Sequence, residues 1–100
     1  MYTLKRTKGM AIMKIQENKT SGGWKFDVEI IDQDSKTNHT ITMSEDFYNS
    51  LNTVVSPKEV VEESFNFLLK RESKEQILST FDITLISKYF PEYIQYVKNP

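Results

Sequence analysis

Apolar and polar positions alternate most cleanly from Trp24 to Ile31: Trp24, Phe26, Val28 and Ile30 fall on one side, Lys25, Asp27 and Glu29 on the other. A period of two with one charged side predicts a half-buried antiparallel strand. Thr37 to Met43 repeats the pattern, with Ile41 and Met43 inward and Thr40 and Thr42 outward. Asp32-Gln33-Asp34-Ser35-Lys36 supplies the turn between the two runs, which therefore read as a hairpin. A shorter run, Ile12 to Glu17, places Met13 and Ile15 on one face and Lys14 and Gln16 on the other. Asn18 to Gly23 is the turn that follows it, with Gly22 and Gly23 free to take positive φ.

Beyond Met43 the spacing changes to threes and fours. The Ser44 hydroxyl is placed to cap a helix whose first turn holds Glu45 and Asp46, where the dipole favours anions, and whose apolar side is Phe47, Tyr48 and Leu51. Ser56-Pro57-Lys58-Glu59 opens a second, longer helix: a Ser cap, Pro at the first position, Glu three residues after the cap. Val60, Val61, Ser64, Phe65, Leu68 and Leu69 form its stripe, while Glu62, Glu63, Asn66 and Lys70 face water. Phe67 lies off that stripe and predicts a second buried side, against another helix or another chain. Ser73-Lys74-Glu75-Gln76 is a third capping pattern, predicting a helix with Ile77, Leu78 and Phe81. Asp82 caps a fourth, Ile83 to Tyr89, which Pro91 interrupts before a last turn or two from Glu92 to Val97. Strands followed by helices define an α+β fold: an antiparallel three-stranded β-meander followed by three or four α-helices packed on one face. Residues 13–97 are the single domain and residues 1–12 a flexible N-terminal extension.

Composition narrows the function more than it names it. One hundred residues support one core, and 38% hydrophobic with 27% charged is a globular balance. No apolar run approaches the ~20 residues that span a bilayer, and Met10 to Met13 is too short for a signal-peptide core, so the expected location is cytoplasmic. With no Cys there is no disulfide, thiolate zinc site, iron–sulfur cluster or Cys nucleophile. His39 is the one histidine, and its inward parity reads as a hydrogen-bonded structural residue rather than a metal ligand. Glu62-Glu63 and Glu72/Glu75 read as solvated helix faces, and Gly22-Gly23 lacks the Lys-Ser/Thr of a phosphate loop. No catalytic residue, metal or cofactor is expected, and the chain reads as not an enzyme.

Binding residues are the remaining candidates. Arg71 either takes a ligand carboxylate or, the preferred reading, pairs with Glu75 or Asp82 as a structural clamp. Tyr93 and Tyr96 are amphipathic and three residues apart on the last helix, which suits an interface. With Phe67 they make Phe67, Arg71, Tyr93 and Tyr96 the candidate partner-binding set. The net charge of −1 is uneven: residues 1–25 carry six cations against Glu17 alone. A basic arm of Lys5, Arg6, Lys8 and Lys14 is therefore the candidate nucleic-acid contact.

Two resemblances follow from these residues. Phe67-Leu68-Leu69-Lys70-Arg71-Glu72, Ile77-Leu78, Phe81-Asp82 and Tyr89-Phe90-Pro91-Glu92-Tyr93 resemble a family of short, uncharacterised bacterial proteins with a strand pair before helices reading Phe-Leu-Leu-x-Arg-Glu, Ile-Leu-x-x-Phe-Asp and Tyr-Phe-Pro-Glu-Tyr. That likeness covers about residues 24–93 and implies no particular activity. Residues 37–72, a strand ending at Ser44-Glu45, a short helix and Ser56-Pro57-Lys58-Glu59 opening a longer one, are similar to ribbon-helix-helix repressors. That likeness implies a strand paired across a dimer with Asn38, Thr40 and Thr42 in the major groove. The leading expectation is a non-catalytic protein-interaction or self-associating module, with a homodimer or another protein as partner and no membrane or small-molecule substrate. The alternative is a nucleic-acid-binding regulator.

Overall fold

The alternation around Trp24 becomes the centre of a sheet in the computed structural model, which describes residues 11–33 and 35–98. Strands β1 (Ile12–Lys19), β2 (Gly23–Ile31) and β3 (Lys36–Ser44) form the antiparallel meander. A fourth strand, β4 (Thr80–Asp82), lies beside β3 in parallel, giving the order β1-β2-β3-β4. The register aligns Phe26 with Ile41 and Ile41 with Phe81, so three strands contribute one apolar row to the inner face. Phe26, Val28, Ile30, Ile41 and Met43 are all buried, while Lys25, Asp27 and Thr42 on the other face are exposed. The fold is α+β, with the helices on one face of the sheet.

Helix α1 (Glu45–Ser50) starts where the Ser44 hydroxyl accepts from the Phe47 N–H at 3.0 Å. Helix α2 (Pro57–Leu69) starts with a full capping box: Ser56 accepts from the Glu59 N–H, and the Glu59 carboxylate accepts from the Ser56 N–H. From Ser64 to Leu69 every residue of α2 is buried, because the sheet covers one side and α4 (Tyr93–Lys98) covers another. Between them α3 (Leu85–Tyr89) follows β4 directly. Phe67, the residue off the stripe, is the reason α2 needs that second cover. Its ring lies 5.4 Å from Tyr93 and 5.1 Å from Tyr96, so another helix, α4, supplies the second side.

Four expectations change. The sheet has four strands and is mixed, not a three-stranded antiparallel meander. The third capping pattern opens only a 3-10 turn, Lys74–Gln76; Phe81 then belongs to β4, not to a helix. The domain starts earlier than residue 13, since Ile12 pairs with Ile31 and Ala11 is buried in the core. Neither Gly22 nor Gly23 uses positive φ; Gly23 is required because a Cβ there would stand 2.2 Å from the Met43 carbonyl oxygen. The ribbon-helix-helix likeness also meets a geometric obstacle. β3 is paired with β2 on one edge and β4 on the other, leaving no edge for a two-fold ribbon.

Candidate interaction groove

A groove opens beside β4, floored by Leu68 and Ile77 and walled by Phe81, Leu85, Ile86 and Phe90. Its volume is about 270 Å³. Leu78 and Tyr89 stand at its rim, 53% and 69% exposed, the two large apolar side chains there that the fold leaves in water. The backbone on either side is fixed: the Leu78 carbonyl oxygen is bound by His39 Nδ1 at 2.7 Å, and α3 is five residues long and ends before Pro91. Glu72 is the one charged lining residue. Partial burial in this apolar setting pushes its carboxyl above the usual range.

The residues singled out from the sequence are placed elsewhere. Phe67 and Tyr93 have no exposed surface, so neither can meet a partner in this conformation. The Tyr93 hydroxyl is 2.5 Å from Ser64 Oγ, and burial drives its pKa strongly upward. Tyr96 is half-buried; its hydroxyl donates to Glu63 at 3.4 Å, and burial followed by the Glu63 charge raises its pKa. Arg71 stacks 3.5 Å from the Phe67 ring centroid, donates through Nη1 to the Phe67 carbonyl at 2.9 Å, and pairs with Glu92 at 3.5 Å. It is a clamp, but on Glu92 rather than Glu75 or Asp82. The four residues form one structural cluster around Phe67.

Lys5, Arg6 and Lys8 lie outside the described residues. Lys14 is exposed on β1 and faces Glu29 across the ladder, so the outer sheet face around it is mixed in charge. His39 is buried and bound on both ring nitrogens, Nδ1 to Leu78 and Nε2 to Thr37 Oγ1 at 2.9 Å. Among the described residues no three His, Cys, Asp or Glu side chains gather as a metal would need.

Sequence reasoning missed one polar centre. Lys74 is 6% exposed, and its ammonium donates to Asp32 at 2.7 Å, Glu75 at 2.6 Å and Ser35 at 2.6 Å. It ties the β2–β3 turn to the 3-10 turn that leads into β4. The hydrogen bond to Asp32, then that to Glu75, raises the Lys74 pKa, and the same bond from Lys74 lowers Glu75. A buried lysine paired this way is held charged, the opposite of a nucleophilic lysine. The acid-rich turn was visible in the sequence; its distant cation was not.

Compared with family models, with curated proteins and with solved structures, the chain matches none. Among the described residues no helix is long and apolar enough to cross a membrane.

Proposed function

We propose that this chain is a non-catalytic interaction module that docks a partner protein through the groove between β4 and α3. The observation that carries the reading is the pairing of a concave apolar surface with two exposed apolar side chains, Leu78 and Tyr89, at its rim. Such side chains contribute little to the folded monomer and gain when a partner removes them from water, about 25 cal/mol for each Å² of apolar area covered. Phe67 and Tyr93 of the expected interface are fully buried, and the groove is the concave apolar surface that stays accessible. A lining with one carboxyl, no paired acid and no nucleophile beside a base supports binding in preference to chemistry.

The test is site-specific photocrosslinking in cells, with a benzophenone side chain at Tyr89 and a control at Thr40 on the outer sheet face. The reading expects a discrete adduct of one mass from position 89 and none from position 40. A ladder equally strong from both positions, or no adduct at 89, would overturn it. Sedimentation of the purified chain identifies the self-associating case, in which the adduct has twice the chain's mass.

A further inference from the structure

The groove sits against an open sheet edge, and the two together define a mode of recognition. We propose that the site takes an extended peptide segment, laid along β4 as a fifth strand, with an apolar side chain in the groove and a lysine or arginine two residues away at Glu72. This rests on the docking reading above and names the chemistry of the partner.

The hydrogen-bond pattern of β4 supplies the first argument. The Thr40 N–H donates to the Ser79 carbonyl at 2.7 Å, the Ile83 N–H donates to the Thr42 carbonyl at 2.9 Å, and Phe81 stands opposite Ile41. In a parallel ladder alternate residues serve one neighbour, so Ser79, Phe81 and Ile83 face β3 while Thr80 and Asp82 turn their N–H and C=O groups outward. An edge of this kind pairs with a strand from another chain unless something blunts it. β4 carries no Pro and no Lys; what limits pairing at this edge is its length of three residues, so the adjoining groove must supply the rest of the grip. Its one charge, Asp82, is held on the sheet's outer face by Thr42 Oγ1 at 2.6 Å and Thr84 Oγ1 at 2.7 Å.

The opposite edge is the natural control. β1 is longer, but the cleft beside it sets four charged side chains, Lys14, Lys58, Glu59 and Glu62, among Met13, Ile15 and Ser56, so an incoming strand meets charge as much as apolar surface there. At β4, by contrast, the inward side chain Phe81 is itself a groove wall. A fifth strand places every second side chain over that groove.

Size and charge set the occupant. A groove of about 270 Å³ is below the ~300–1,000 Å³ typical of small-molecule sites and fits one or two side chains. The only charged group in its lining is an acid, so a cation on the same face of the strand is the complementary partner. Period-two geometry then fixes the spacing as apolar-x-basic.

The experiment titrates the whole 100-residue, 15N-labelled chain with an acetylated, amidated peptide, Thr-Val-Thr-Leu-Thr-Arg-Thr. Binding is expected to shift the Thr80, Asp82 and Leu78 amides and to slow exchange of the Thr80 and Asp82 amides. Two peptides N-methylated on alternate residues separate backbone pairing from greasy contact. One of them, the one whose methyls face β4, is expected to bind about tenfold more weakly, the loss of at least one hydrogen bond. Glu72→Gln is expected to weaken the Arg peptide about fivefold and to leave a citrulline version unchanged. No shift at millimolar peptide, shifts on β1 or the outer sheet face instead, equal binding of both N-methylated peptides, or concentration-dependent self-association in place of peptide binding would each overturn the proposal. A crosslink at Tyr89 without peptide binding rejects the strand mode and leaves docking standing.

Discussion

Single residues decide how the middle of α2 survives burial. Ser64 Oγ donates its only proton to the Val60 carbonyl at 2.7 Å, so the Tyr93 hydroxyl must be the donor in the 2.5 Å contact with Ser64. The two substitutions are therefore unequal. Ser64→Ala strands a buried phenol and is expected to cost about 1–3 kcal/mol, whereas Tyr93→Phe leaves Ser64 bonded and costs about 1 kcal/mol. In a denaturant double-mutant cycle the pair should be no less stable than Ser64→Ala alone. Asn66 Oδ1 is buried without a hydrogen-bond partner among the described residues, so Asn66→Leu is expected to raise stability by about 1 kcal/mol in the same assay. Titration carries signs of both kinds. Glu75, lowered first by the Lys74 hydrogen bond, contributes stability above the usual range near 4.5 and loses it as pH falls through its folded value. Lys74, raised by Asp32 and Glu75, contributes below 10.5 and loses it as pH rises past its folded value. Glu72 is raised by burial, so folding favours its neutral acid and the contribution fades as pH climbs. Thermal melts should accordingly show Glu72→Gln above wild type at neutral pH, with the gap closing in acid.

At the level of elements, what the sequence exposed was whatever repeats. β2 and β3 each give a period of two over nine residues, and α2 announces itself by its capping box and its threes and fours. Ser56→Ala should cost about 1 kcal/mol, measured by urea unfolding, because it removes the acceptor for the Glu59 N–H. β4 was hidden because three residues show no period, and because Ile77, Leu78 and Phe81 happen to stand at helical spacing. The signal in its favour was weaker: Thr80 out, Phe81 in, Asp82 out, Ile83 in. The partner of a parallel strand is set by the crossover through α1 and α2, a long-range fact that local spacing does not carry. The interaction groove was unreadable for the same reason, since four of its lining residues, Gln76, Ile77, Leu78 and Phe81, come from the misassigned segment. Gly23 was recognised as special but for another cause. Close approach to β3, not a left-handed backbone, predicts that Gly23→Ala destabilises severely while Gly22→Ala, with nothing within 4 Å of its Cβ, is nearly neutral.

The molecule as a whole hides its aromatic residues from two directions. The sheet takes Phe26 and Phe65, and α4 folds back over Phe67, with Arg71 stacked on the same ring. Phe67→Ala is expected to cost about 3–5 kcal/mol in chemical denaturation, a large share of the stability of a chain this size. Leu78 and Tyr89 stand apart from this core: replacing either with Ser should barely move the melting temperature, and Leu78→Ser should also remove the adduct formed from position 89. The division between a sealed aromatic core and an accessible groove can be read by exposing methyl- and aromatic-labelled protein to a soluble gadolinium chelate and recording relaxation at each side chain. Strong broadening at Leu78 and Tyr89, with Phe67 and Tyr93 untouched, is the expected result; broadening at Phe67 and Tyr93 with Leu78 protected would contradict it.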